Sequence, residues 1–96
     1  MSAKKVTYTD SHGFTNEISA LIFRVANAAM MQFEGQTVDA DEFGAAIEAE
    51  YKVQSGKKMT FQSYMKARDY IDSVMGWHYA AESVTVPSIM DSLTTA

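Results

Sequence analysis

From Thr15 to Gly76 the apolar residues return every three or four positions, and the pattern breaks only twice, around Gly35 and around Gly56. That spacing belongs to helices with one buried face. It predicts a mainly α fold, a compact three-helix bundle in a single domain over residues 1–96. A chain of this length buries roughly 60–65% of its unfolded surface, so a core forms without staples.

Each predicted helix has its own boundaries. The first starts at Thr15 as N-cap with Glu17 in its opening turn, and stops at Gly35. Phe14, Ile18, Leu21, Ile22, Val25 and Ala29 share one face, with Phe23, Ala26 and Met30 beside it. The apolar arc is roughly 200° wide where about 100° suffices, so this helix is central or carries a second contact surface. The second starts at Asp39, with Glu42 in a capping-box position and Val38 and Phe43 as a hydrophobic staple. Phe43, Ile47 and Tyr51 point inward, and Ala40 and Gly44 let another helix approach closely. Ser55 and Gly56 end it. The third begins at Thr60, with Met59 and Tyr64 as staple and Phe61, Tyr64, Met65, Ile71, Val74 and Met75 as apolar face. Gly76 stops it and Trp77 covers its end.

A small β element is expected near the two chain ends. Residues 6–9 are β-branched and aromatic and read as extended, followed by a turn at residues 10–13. Beyond Gly76, residues 77–80 and 83–86 read as two short strands around a turn at Ala81 and Glu82. Alternatively, the third helix runs on to about Ala81 and only residues 84–86 are extended.

Catalytic and metal chemistry find no support. There is no cysteine, which excludes disulfides, thiolate metal sites and thiol catalysis. Residues 35–43 resemble the second half of an EF-hand loop, but Met31, Phe33 and Gly35 stand where its first oxygen ligands belong, so a helix cap is the better account. His12 and His78 share no ligand spacing. No serine sits in a nucleophile elbow, and Gly56-Lys57-Lys58 lacks the rest of a phosphate loop. The sequence thus predicts no enzyme, no metal and no cofactor. It has no apolar stretch of membrane-spanning length and no secretory signal behind Lys4 and Lys5, so a cytoplasmic protein is expected.

Charge says more. Glu34, Asp39, Asp41, Glu42, Glu48 and Glu50 are followed at once by Lys52, Lys57, Lys58, Lys66 and Arg68. Helix termini account for part of this, but neither cap demands the Lys57-Lys58 pair. Helix, extended link at 36–38, helix, helix, then strand pair resembles the element order of a winged helix-turn-helix domain. The resemblance covers most of the chain and carries no diagnostic motif. It implies that the third helix enters a major groove, with the strand pair as wing. That helix would show Gln62, Ser63, Lys66, Asp69, Tyr70 and Ser73 outward, with Arg68 and Asp72 paired toward the apolar side. One base against one acid, and a net charge of −4, disfavour phosphate contacts.

The expected function is therefore a small non-catalytic regulatory or accessory protein that binds another protein. A winged-helix-like nucleic-acid binder is the alternative, and a structural subunit of a larger, phage-type assembly is a further one. Two surfaces are candidates. Phe23 with Met30 flanks the first helix, through which copies of the chain could pair, unless the core covers both. Lys57, Lys58, Gln62, Lys66 and Tyr70 lie around the third helix. The seven methionines suit an adaptable surface and a loosely specified core equally.

Overall fold

A computed structural model describes residues 4–10, 12–77 and 81–88. It contains three helices and two small antiparallel sheets. In chain order these are β1 (Lys5–Thr9), β2 (Thr15–Ser19), α1 (Ala20–Gln32), β3 (Thr37–Asp39), α2 (Ala40–Ser55), α3 (Phe61–Met75) and β4 (Ser83–Thr85).

The N-terminal part corrects the sequence reading. Residues 15–19 are a strand, not the start of a helix. β2 pairs with β1 in the register Lys5↔Ser19, Val6↔Ile18 and Tyr8↔Asn16. Asp10 sets that register. Its Oδ1 accepts from the backbone N–H groups of His12 and Phe14, and its Oδ2 accepts from the Asn16 side chain at 2.8 Å. Gly13 supplies the positive φ of the turn. Ile18 reaches the core from a strand face, so its spacing to Ile22 and Val25 imitates a helix running through it. Phe14, expected on the helix face, lies in the hairpin turn and is exposed.

Ser19 is the true N-cap of α1, its hydroxyl accepting from the N–H of Ile22 at 3.1 Å. α1 packs against the hairpin and against both α2 and α3. Ile22, Val25, Ala26, Asn27, Ala29 and Met30 are all buried, so the wide apolar arc belongs to a central helix.

α2 and α3 follow their expected boundaries, but one cap works differently. Thr60 caps α3 by accepting from the N–H of Ser63 at 3.1 Å. Asp39 sits at the N-cap of α2 and makes no side-chain cap bond. The N–H of Ala40 donates instead to the carbonyl of Glu82, far along the chain, at 2.9 Å. Ser19→Ala and Thr60→Ala are each expected to cost about 1 kcal/mol, and Asp39→Ala a few tenths through the helix dipole alone. Urea denaturation of the three variants checks this order, and an Asp39→Ala loss equal to the other two would contradict it.

Gly56 and Gly76 close α2 and α3 in the left-handed conformation. α3 therefore stops at Met75, and the alternative of a helix continuing to Ala81 is overturned. Residues 78–80, read as half of a strand pair, lie outside the described residues. The other half, β4, pairs with β3: Thr37↔Thr85, Val38↔Val84 and Asp39↔Ser83. Backbone bonds of 2.9 Å from Gly35 N–H to the Val86 carbonyl and from Val86 N–H to the Gln36 carbonyl extend the ladder.

The core has two aromatic centres. Phe43, fully buried, meets the Trp77 ring edge-on at 5.0 Å and Phe33 at 5.9 Å. The guanidinium of Arg68 lies 3.8 Å from the centre of the Trp77 ring, which places a buried cation against a π face. In the second centre Tyr70 touches Tyr8 at 5.1 Å and Phe23 at 5.2 Å, and its hydroxyl donates to Asn27 Oδ1 at 2.9 Å. Gly44 lets α3 approach α2: a Cβ built there would stand 2.6 Å from the Tyr64 hydroxyl. Among the described residues no helix is long and apolar enough to cross a membrane.

Candidate interaction surface

Burial sorts the sequence candidates. Met30 is fully buried and Phe23 is half-buried against Tyr70, so both serve the core. Pairing of two copies through them would require the core to open. Tyr70, expected to face outward, is 4% exposed. Helix geometry explains this correction. The buried face of α3 centres between Ala67 and Ile71, and Tyr70 and Arg68 each lie about 80° from it, within reach of α1 and Trp77. Phe61 lies about 100° from that centre and falls outside: assigned to the apolar face, it is 77% exposed.

Lys57, Lys58, Gln62 and Lys66 are all exposed. The first two sit in the five-residue connection between α2 and α3, and the others lie in the first and second turns of α3. Gln62 and Lys66 border a groove of about 270 Å³ between α3, the end of α2 and the hairpin. Ile18 and Ile22 line it, with Lys5, Tyr51 and Ser63 at its sides. Lys5 leans toward Glu17 at 3.9 Å, an exposed and weak pair.

Of two exposed apolar residues beside this connection, the sequence reading placed Phe61 on the apolar face and did not single out Val53. Val53, in the last turn of α2, is 78% exposed, and Phe61 opens α3. Their signal lies in angle. Val53 stands about 100° from the Phe43–Ile47 midline, as Phe61 does from that of α3. Large apolar side chains are thus left in water on both sides of one short connection.

Farther along α3 the surface turns acidic. A cleft of about 240 Å³ gathers Asp69 and Asp72 with Asp10, His12 and Tyr8. Partial burial raises the pKa of Asp69, the neighbouring Asp72 raises it further, and Arg68 offsets part of this. Asp10 behaves oppositely: the N–H of Phe14 and the Asn16 amide hold its carboxyl below the usual value. Asp69 should therefore titrate at higher pH than Asp10, as carboxyl-carbon NMR will read. Ionised Asp69 disfavours the fold near neutrality, and that cost is relieved as pH falls through its folded pKa. The stability that Asp10 contributes is present above its unfolded pKa and disappears as pH falls through its lowered folded value. Asp10 titrating above Asp69 would contradict the geometry of both.

A third cleft, of about 300 Å³, separates α2 from α3 beside Gly44, Tyr64 and Arg68, with Asp41 and Glu48 at its edge. Among the described residues no group of three or more His, Asp or Glu side chains is placed to hold a metal ion. His78 lies outside the described residues, and His12 belongs to the hairpin turn.

Compared with known proteins, the chain matches no family model, no curated protein and no solved structure.

Proposed function

We propose that this is a small non-catalytic accessory or regulatory protein that acts by binding another protein at the α2–α3 corner. The observation that carries the reading is the pair of exposed apolar side chains, Val53 and Phe61, flanking Lys57 and Lys58. Burying such a side chain in a partner is worth about 1.5–3 kcal/mol, and aromatic anchors ringed by polar groups are typical of interface centres. We read the architecture as a three-helix bundle with α1 at its centre, braced by the two sheets.

One observation favours a second reading. The order α1, β3, α2, α3, β4, with β3 and β4 paired, follows a winged helix, in which α3 would read nucleic acid. The face of α3 opposes it. Lys66 is followed one turn later by Asp69 and then by Asp72, which would stand against phosphates.

A pull-down from native lysate separates the two. It compares wild type with a Val53→Ser/Phe61→Ser double variant, each with and without nuclease. A protein captured by wild type, retained after nuclease and lost from the double variant is the expected result. Capture that vanishes with nuclease would replace this reading with the winged-helix one.

A further inference from the structure

The hairpin keeps an open edge. Among the described residues β1 and β2 pair only with each other. The Asp10 N–H donates to the Phe14 carbonyl at 2.9 Å and the Ala20 N–H to the Lys4 carbonyl at 2.8 Å, so the even-numbered residues of β1 turn their main-chain groups toward β2. Lys5, Thr7 and Thr9 turn theirs outward, and among the described residues these groups have no hydrogen-bond partner. Their side chains are exposed as well. No proline or glycine interrupts the strand, and its single charge, Lys5, stands at one end. An edge of this kind is a template for another strand.

We propose that two copies of the chain pair through β1, antiparallel about Thr7, and join their hairpins into one continuous sheet. Self-complementarity identifies the occupant. This register sets Thr7 against its own counterpart and Lys5 against Thr9, and every outward main-chain group of the three residues then finds a partner. It sets Val6 against Tyr8, an aliphatic–aromatic pair of the kind that stabilises neighbouring strands. It also sets Lys4, which is exposed, against Asp10 of the second copy. Lys4, Val6, Tyr8 and Asp10 alternate onto one face, so the incoming ammonium meets the cleft that Asp10 shares with Asp69 and Asp72. The same contact recurs at the other end of the seam, as an interface between identical patches requires. The outer edge of β2 lacks this match: antiparallel pairing about its centre sets Glu17 against Glu17, like charges directly opposed. β3 and β4 offer only three residues each. The pairing uses no residue of the α2–α3 corner.

Sedimentation of the full chain over a dilution series, with Thr7→Pro and Lys4→Glu beside wild type, tests the pairing. Proline at position 7 removes an outward N–H and spares the bonds to β2. Expected are a reversible dimer of wild type, a dimer at least tenfold weaker in Lys4→Glu, and a monomer in Thr7→Pro. Combining Lys4→Glu with Asp69→Lys should recover part of the loss. In a sample mixing isotope-labelled and unlabelled chains, an intermolecular contact between the α-protons of Val6 and Tyr8 should appear, because opposed residues that lie between bonded pairs stand closest. Circular dichroism reads the fold of each variant. If Thr7→Pro fails to fold, Lys4→Glu, at an exposed position before the strand, decides together with the α-proton contact. Wild type that is monomeric at every concentration would overturn the proposal. So would a dimer left intact by both Lys4→Glu and a folded Thr7→Pro, or intermolecular contacts at Val53 and Phe61 in place of β1.

Discussion

Phe43→Ala is expected to cost about 3–5 kcal/mol, the range for emptying a fully buried aromatic site. A domain of this size has about 5–15 kcal/mol in total, so the variant sits near the edge of folding. The ring touches Phe33 from the end of α1 and Trp77 beyond α3, and it hangs from the first turn of α2. Its removal therefore loosens all three helices at once. Trp77, the single tryptophan, reports the result directly, because its buried indole enters water on unfolding. Urea titration followed by tryptophan emission should show a lower midpoint with an unchanged slope. A loss below about 1 kcal/mol would mean that the surrounding side chains refill the site and that the core centre lies elsewhere.

Tyr70 should produce the second large effect, and two substitutions divide it. Tyr70→Ala removes the ring from Tyr8 and Phe23 and is expected to cost about 3–5 kcal/mol. Tyr70→Phe keeps the ring and removes only the donor to Asn27, leaving a buried amide oxygen without that bond at a cost of about 1–3 kcal/mol. Neither residue position touches the α2–α3 corner surface. Partner affinity of Tyr70→Phe, measured where the variant is fully folded, should equal that of wild type. A faster dissociation at full stability would return Tyr70 to the interface.

The helices were readable because their signals are local. Thr60, Gly56 and Gly76 act within one turn of the boundary they mark, and the structure uses all three. The hairpin was hidden by an accident of spacing: Ile18 stands four residues before Ile22 whether the intervening chain is strand or helix. The decisive residue was Asp10, whose carboxylate gathers three donors in a pattern that composition alone does not rank above an ordinary turn. β3 and β4 were each visible as extended pieces, yet their pairing depends on three-dimensional closure, to which periodicity is blind. Lys57, Lys58, Gln62 and Lys66 are exposed, as their polarity leads one to expect. Tyr70 was misplaced because its hydroxyl finds Asn27 on another helix; Phe61 was put on the apolar face although it stands about 100° off the core line, and Val53, at the same angle on α2, was not singled out.

The β3–β4 ladder also orders events during biosynthesis. The β1–β2 hairpin is complete once Ser19 has emerged, but β3 must await Ser83. At about 5–20 residues per second, that delay lasts some seconds. Throughout it the edge of β3 and the first amide of α2, which later meets Glu82, are open to other strands in the nascent chain or its neighbours. Newly made protein is thus most vulnerable to chaperone capture or mispairing in the interval before its last described strand arrives.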